Sequence, residues 1–427
     1  MIFNKRFYYS LSIEIILFLA WIFSRDQLIL GLWTSFLVIL SLSYFSALIS
    51  LKDLELIRTS RIKRQQVGGV FEERFEIKND SKFRKLWIEI TDDSLIGNTI
   101  NSRIVVNIKP NIFRKYNSSI LLKKRGVYSL GPTILNSGDP LGLFKSGITI
   151  PSKKSIVVYP HLIDIQKFSV NPSIEEGGEH LQIQTAQTTP QASGIREYQP
   201  GEPLNRVHWP YTMKHGKLMV KEFDEETQSN AWILLDVQKN KHYREKNITY
   251  SFNNRFLSIR RRAARFQLAC DSFEYAVSIA AALANYYIRQ NIAVGLTSVG
   301  RDFVNVQPDK GNRQLNKILE KLAVINDDGD LSITSIFEKQ KSNIRNGSSV
   351  IMITAVDLSE IESPMHIAKL KRIKLLPIRI NPDSFIHEER VVSIRHTAPG
   401  NNKYLEINYG DDIGKKLSNF RSIYTTT

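Results

Sequence analysis

The sequence predicts a multi-domain chain with an N-terminal two-helix transmembrane hairpin, a small β-sandwich and then an α/β domain. Three observations predict it. Two long apolar runs open the chain, short strand-like runs follow them, and from residue 231 apolar strands alternate with amphipathic helical stretches. The expected boundaries are 1–52 for the hairpin, 53–160 for the sandwich, 161–193 for a linker, 194–230 for a signature segment and 231–427 for the α/β domain. A chain of 427 residues accommodates several domains of roughly 100–200 residues each.

The first apolar run extends from Phe7 to Phe23, with Glu14 its one charge. Ser24, Arg25, Asp26 and Gln27 interrupt it, and a second run follows from Leu28 to Leu51. A helix rising ~1.5 Å per residue needs about 20 apolar residues to cross the hydrocarbon, which the second run exceeds and the first just meets. Lys5 and Arg6 before an apolar stretch also begin a signal peptide. No small-residue cleavage motif follows Phe23, however, and the second run would stop transfer. Lys5 and Arg6 precede the first span; Lys52, Arg58, Arg61, Lys63 and Arg64 follow the second. The positive-inside rule then places both termini in the cytoplasm, as a multi-pass protein of the inner (cytoplasmic) membrane.

In 53–160, Phe71 to Ile77 is a strand candidate closed by Asn79-Asp80-Ser81. Leu86, Ile88 and Ile90 would form the apolar face of the next strand. Arg103 to Ile108, Ser119 to Leu122, Val127 to Leu130 and Ile156 to Tyr159 are further candidates, with a turn at Lys124-Arg125-Gly126. Short strands at this spacing suggest a sandwich, read as a spacer that lifts the next domain off the bilayer. His161 to Ser193 carries Glu175-Glu176-Gly177-Gly178 and a Gln/Thr-rich run, the composition of an exposed linker.

Further on, Ala231 to Leu235 is a buried-strand run ending at Asp236. Asp271 can cap a helix with Glu274 as its reciprocal partner. Phe273, Ala276, Val277, Ala280, Leu283 and Ala284 then make an apolar stripe. Ile292–Leu296, Val350–Thr354 and Leu375–Ile380 read as strands, and Leu315, Ile318, Leu319 and Leu322 mark another helix. This alternation argues for a largely parallel sheet covered on both faces.

Composition adds a binding question. Hydrophobic residues make up 42% of the chain, which excludes wholesale disorder. Lys+Arg 58 against Asp+Glu 42 leaves a charge of +16, suited to nucleic acid or to an acidic leaflet. The insertion 242–267 concentrates it, with Arg255, Arg260, Arg261, Arg262 and Arg265 among Tyr250, Phe252, Phe256 and Phe266. Such a stretch can bind single-stranded nucleic acid, an anionic membrane or an acidic protein, or be a solvated loop. The only cysteine is Cys270, which precludes an intramolecular disulfide and fits a reducing compartment.

The most informative segment runs Gly194-Ile195-Arg196-Glu197-Tyr198-Gln199-Pro200-Gly201-Glu202-Pro203-Leu204-Asn205-Arg206-Val207-His208-Trp209, followed by Gly216-Lys217-Leu218-Met219-Val220-Lys221-Glu222-Phe223. Pro200-Gly201 sets a tight turn, and Arg196 and Arg206 flank Glu202 as if to form an ion-paired clamp over Trp209. That set, with Tyr198 and Gly201, reads either as a structural staple or as a binding site. The segment resembles the hallmark of the bacterial family called domain of unknown function 58. Arg125 to Tyr128, Asp139 to Phe144, and Phe273 to Val277 agree with it, as do the paired N-terminal spans.

The resemblance implies a von Willebrand factor type A-like fold for 231–427, in which a metal site begins Asp-x-Ser-x-Ser. Here the stretch reads Asp236-Val237-Gln238-Lys239-Asn240, with both serines absent and a lysine added. Asp357 could match a later acidic position. The set is depleted for a hard cation such as Mg²⁺, so no cofactor is expected. Enzyme signatures are missing too: there is no Walker A loop and no Gly-x-Ser-x-Gly elbow, and His387-Glu388-Glu389-Arg390-Val391 lacks its second histidine. The resemblance implies a non-enzymatic, membrane-anchored interaction or assembly module, an adaptor for a MoxR-type AAA ATPase in a chaperone-like or maturation system. The alternative is an anionic-lipid or nucleic-acid binder using 242–267. The oligomeric state stays open.

Overall fold

In the computed structural model, residues 2–60, 62–94, 101–152, 154–168, 192–200, 204–223, 230–244, 266–386 and 404–420 are described. They form two compact units. One comprises Met1–Ile163, Tyr243–Ala281 and Asn316–Asn326; the other comprises Asp164–His242, Ala282–Leu315 and Asp327–Thr427.

The first unit begins with a short strand β1 (Ile2–Phe3) and two helices, α1 (Lys5–Ser24) and α2 (Gln27–Ile49). Both are long and apolar enough to cross a membrane, and few of their residues are fully buried, none in α1 and only Ser43 and Ala47 in α2. Asn4 caps α1 through its own side chain, and the Asp26 carboxylate caps α2 by accepting from the Leu28 amide at 3.0 Å.

Strands β2 (Leu54–Ser60), β3 (Arg64–Gln66), β4 (Val70–Asn79), β5 (Lys85–Asp92), β6 (Asn101–Ile108), β7 (Phe113–Leu121), β8 (Gly126–Ser129), β9 (Thr133–Gly138), β10 (Phe144–Ile150) and β11 (Ser155–Tyr159) follow. They build three sheets, ordered β1-β10-β9-β5-β6, β2-β4-β7 and β3-β11-β8. The first two share a core in which Ile77, Leu56 and Tyr116 meet Ile88, Ile90, Ile108 and Leu135. A second cluster joins Phe71, Val67, Leu122, Ile156 and Val158.

Alternation in β5 holds from Ile88 onward, but Leu86 is exposed and Lys85 is buried. The reason is local. Lys85 Nζ donates to the carbonyls of Ile49 at 2.6 Å and Lys52 at 2.9 Å, capping the end of α2. Burial pulls this ammonium below the ordinary lysine range, against the opposing charge of Asp53.

The second unit carries a six-stranded sheet of β14 (Asn230–Leu235), β15 (Ala293–Val299), β16 (Phe303–Asp309), β17 (Ser349–Thr354), β18 (Lys374–Ile380) and β19 (Leu405–Ile407). Its order is β16-β15-β14-β17-β18-β19, all parallel except β16. Trp232, Leu234, Val350, Met352, Ile336 and Phe337 form its largest described core cluster. Runs of consecutive buried residues in β14 and β17 fit strands covered on both faces.

Helix α4 (Ser272–Arg289) departs from an amphipathic stripe. Ile279, Ala281, Ala282 and Tyr287 are as buried as the expected positions, so it is enclosed all round. Its capping box is half-formed. Asp271 accepts from the amides of Phe273 at 2.9 Å and Glu274 at 3.2 Å, while Glu274 turns instead to Arg125.

Candidate functional site

The signature segment folds as a small independent motif in the second unit. Strands β12 (Ala192–Glu197) and β13 (Met219–Phe223) pair antiparallel, and helix α3 (Trp209–His215) lies between them in sequence. Turn chemistry explains the joints. His208 Nδ1 accepts the Tyr211 amide at 3.2 Å as N-cap, with Pro210 in the first turn. Gly216 ends the helix at φ +68°, a left-handed position in open space, so the glycine is needed for its backbone and not for room. Thr212 Oγ1 accepts from Met219 N at 3.0 Å, and His208 N donates to Met219 O at 2.8 Å, so helix and hairpin hold each other.

The motif exposes large apolar side chains among charged ones such as Arg206, Lys214 and Lys217. Leu204, Trp209, Tyr211, Met213 and Leu218 are all exposed, Trp209 by 61% and Met213 by 84%. The Tyr211 and His215 rings stack at 5.1 Å. Single exposed apolar residues are ordinary, but Trp209 and Met213, four positions apart on α3, share one helix face and expose a large apolar pair there.

Of the clamp expected from the sequence, Gly201 and Glu202 lie outside the described residues. Arg196 and Arg206 are exposed, Arg196 Nη1 donating to Glu197 O at 3.3 Å. Tyr198 donates its amide to Leu218 O at 2.9 Å. Trp209 is largely uncovered rather than clamped. Among the described residues, Lys217 pairs with Glu197 at 2.9 Å, both exposed, a pair that sequence reasoning passed over. The hydrogen bond and charge of Glu197 raise the Lys217 ammonium above its usual range.

Asp236 and Asp357 follow neighbouring strands β14 and β17, on either side of the point where the strand order reverses. Ligands in open α/β sheets commonly sit there. Each aspartate nevertheless has a partner of its own. Asp236 is fully buried and accepts from Thr354 Oγ1 at 2.5 Å and Gln238 N at 3.0 Å. Burial raises its carboxyl above the usual range, against those hydrogen bonds. Asp357 pairs with Arg379 at 2.5 Å, and Lys239 pairs with Asp330 at 2.9 Å. Among the described residues, no three His, Cys, Asp or Glu side chains gather as a metal site.

Arg255, Arg260, Arg261, Arg262 and Arg265 lie outside the described residues. The last aromatic of that insertion, Phe266, is described and serves packing: it joins the Val67–Phe71 cluster and lies against Gly68.

Sequence reasoning missed a set of buried charges. Arg125, 3% exposed at its side chain, pairs with Glu274 and donates to the carbonyls of Leu322 at 3.0 Å and Ile325 at 2.8 Å. Asp139, 1% exposed, accepts from Ser43 Oγ and from the amides of Leu141 at 2.9 Å and Phe144 at 2.7 Å. Their signal was present, since both belong to the stretches that carry the family resemblance.

Fold and site together define a protein with two apolar N-terminal helices, a β-rich module and an α/β sheet, presenting an exposed aromatic hairpin motif. Residues 194–252 match the family described as Protein of unknown function DUF58. The chain is 24% identical over 252 residues to the uncharacterized protein YeaD of Bacillus subtilis (strain 168), covering 58% of this chain and 54% of that protein. It thus spans about half the length of the curated relative it matches. Among solved structures, the CARDB domain of the PF1109 protein from Pyrococcus furiosus aligns with 25% of this chain and 92% of its own, at 13% identity and a TM-score of 0.18. A β-glucosidase from Listeria innocua aligns with 23% of this chain and 16% of its own, at 10% identity and a TM-score of 0.16.

Proposed function

We propose that this chain is a membrane-anchored, non-enzymatic interaction module facing the cytoplasm, with the signature motif as its docking surface for a protein partner. The exposed Trp209 and Met213 on one face of α3, in a motif that also exposes Leu204, Tyr211 and Leu218, carry this reading. Tryptophan and tyrosine are the side chains that most often anchor protein interfaces, and methionine adapts to varied partner surfaces. No described side chain of the motif has the arrangement of a nucleophile with its base. His208 is occupied as a helix cap and His215 by its stack on Tyr211.

The α/β unit is a von Willebrand factor type A-like domain in this proposal, supported by its strand order and single antiparallel edge strand. It works without Mg²⁺, because Asp236 and Asp357 are each satisfied by protein groups. The partner is a MoxR-type AAA ATPase, the class the family resemblance implies. The anionic-ligand reading through 242–267 gains nothing from the described residues.

A photo-crosslinking residue at position 209 or 213 of the full chain, activated in native membranes with and without ATP, tests the proposal. Recovery of an AAA ATPase, lost on replacing the remaining exposed apolar residues of the motif with Ser, is the expected result. Crosslinks confined to lipid or to the chain itself would refute it.

A further inference from the structure

One end of the β module lies next to α1 and α2. Chain order and register locate it. The chain leaves α2 at Ile49 and enters β2 at Leu54, which pairs with Asn79, while the adjoining Lys78 pairs with Phe113. In the neighbouring sheet Lys85 pairs with Ile108, and its ammonium reaches back to Ile49 and Lys52. The loops 80–84, 109–112 and 139–143 therefore all open toward the helix ends. Asp80 N donates to Asp53 O at 3.0 Å, and the Asn79 side chain ties the first two loops together through Phe83 O and Lys109 O.

The third loop reaches further. Asp139 accepts from Ser43, which lies about 9 Å before the end of α2 at 1.5 Å per residue. Phe144 packs on Phe7 at 5.1 Å and Tyr44 at 5.6 Å. Helix α2 is about 34 Å long, against ~30 Å of hydrocarbon, so its last turn belongs to the headgroup layer. Tyr8 and Tyr9, exposed near the start of α1, mark the same interfacial level. The 139–143 loop therefore reaches past that turn, while the 80–84 and 109–112 loops, tied to Asp53 and to each other at the end of α2, lie at headgroup depth.

The exposed residues of these loops suit that depth. Phe83 is 59% exposed, Leu141 51% and Ile112 43%, while Lys82, Arg84 and Lys109 are exposed around them. Apolar tips ringed by cations are the chemistry of an anionic bilayer surface. The negative potential of such a surface attracts each cation, and the apolar tips enter the headgroup–acyl boundary.

We propose that this rim is an anionic-phospholipid site: Lys82, Arg84 and Lys109 take lipid phosphates while Phe83, Ile112 and Leu141 insert, fixing the β module flat against the membrane. The proposal rests on α1 and α2 spanning the bilayer. It recasts the β module as a part bedded in the surface, rather than a spacer held clear of it.

The test uses the full chain in liposomes, with Cys270 replaced by Ser and a fluorophore on a single introduced cysteine (Phe83→Cys, Ile112→Cys or, within α2, Val38→Cys). Headgroup-labelled quencher lipid should quench the probes at 83 and 112, and a deep acyl-chain quencher the probe at 38. Quenching at 83 should fall several-fold when phosphatidylglycerol is replaced by phosphatidylcholine, and equally in the combined variant Lys82→Glu, Arg84→Glu, Lys109→Glu. Quenching at 38 without quenching at 83 and 112 would overturn the rim site while leaving the spans intact. No quenching at 38 would overturn the spanning reading itself. Equal quenching in both lipids would overturn the anionic selectivity.

Discussion

Arg125 illustrates how single residues hold this molecule together. Leaving a guanidinium buried and unpaired costs several kcal/mol, so its position is fixed by the acceptors around it. Glu274 and the carbonyls of Leu322 and Ile325 supply them, and the Phe273 ring lies 5.1 Å from its charge. In sequence Arg125 is only a turn residue, because its partners come nearly 150 to 200 positions later. Arg58 behaves alike, forked onto Glu73 at 2.6 Å and Asp92 at 2.9 Å within the β module. Asp271 is the exception that titrates. Burial and the nearby charge of Glu274 push its carboxyl from 3.8 up to about 6. The folded chain thus keeps this proton to higher pH than the unfolded chain does. Stability from this group is highest below pH ~4 and declines as pH rises to ~6, by up to about 3 kcal/mol. Asp271→Asn retains the oxygen that caps α4 and removes the charge. Denaturation of the detergent-solubilised chain should show the variant more stable at pH 7, with a flatter slope between pH 4 and 6. An unchanged slope would mean that Asp271 is already ionised at the lower pH.

At the scale of elements, the runs legible in the sequence were those whose apolar residues face one core. Phe71 to Ile77, Ile156 to Tyr159 and Val350 to Thr354 lie within β4, β11 and β17. Strand β7 shows a strand pattern only at its end, since Phe113-Arg114-Lys115 is exposed and carries no burial pattern. The β9–β10 hairpin was missed for a different reason. Its register depends on Asp139 inside the connecting loop, a polar residue whose burial is produced by tertiary contact. That residue also joins the β module to α2. Alanine at 139 would strand the Ser43 hydroxyl and two amides, and hydrogen bonds to a charged group are worth about 1.5–3 kcal/mol each. Asp139→Ala should therefore destabilise the chain by at least ~2 kcal/mol. In a double-mutant cycle with Ser43→Ala, coupling above ~0.5 kcal/mol should appear, as for residues in direct contact. Additive effects would show that loop and helix are held by other contacts.

For the whole molecule, topology follows from pairing as well as from charge. Strand β1 precedes α1 and pairs with β10, while β2 follows α2 and pairs with β4 in the same unit. In a hairpin that spans as proposed, both ends then emerge on one side of the membrane, whichever side that is. The cations select the side. Lys5 and Arg6 precede α1 and Lys52, Lys63 and Arg64 follow α2, whereas the connection between the helices holds Arg25 and Asp26, the latter capping α2. By the positive-inside rule that bias favours the cytoplasmic orientation proposed above. Charge alone was legible in the sequence; the strand pairing was not, because two residues of β1 carry no pattern. Protease added to intact cells lacking an outer barrier should spare everything beyond Leu51, and inside-out vesicles should lose it. Reversing the bias with Lys5→Glu and Arg6→Glu should not place the two ends on opposite sides, because β1 and β2 build one module. The variant should instead insert poorly or fail to fold. A stable population with its N-terminus outside and the residues after Leu51 still protected would break the coupling between strand pairing and topology.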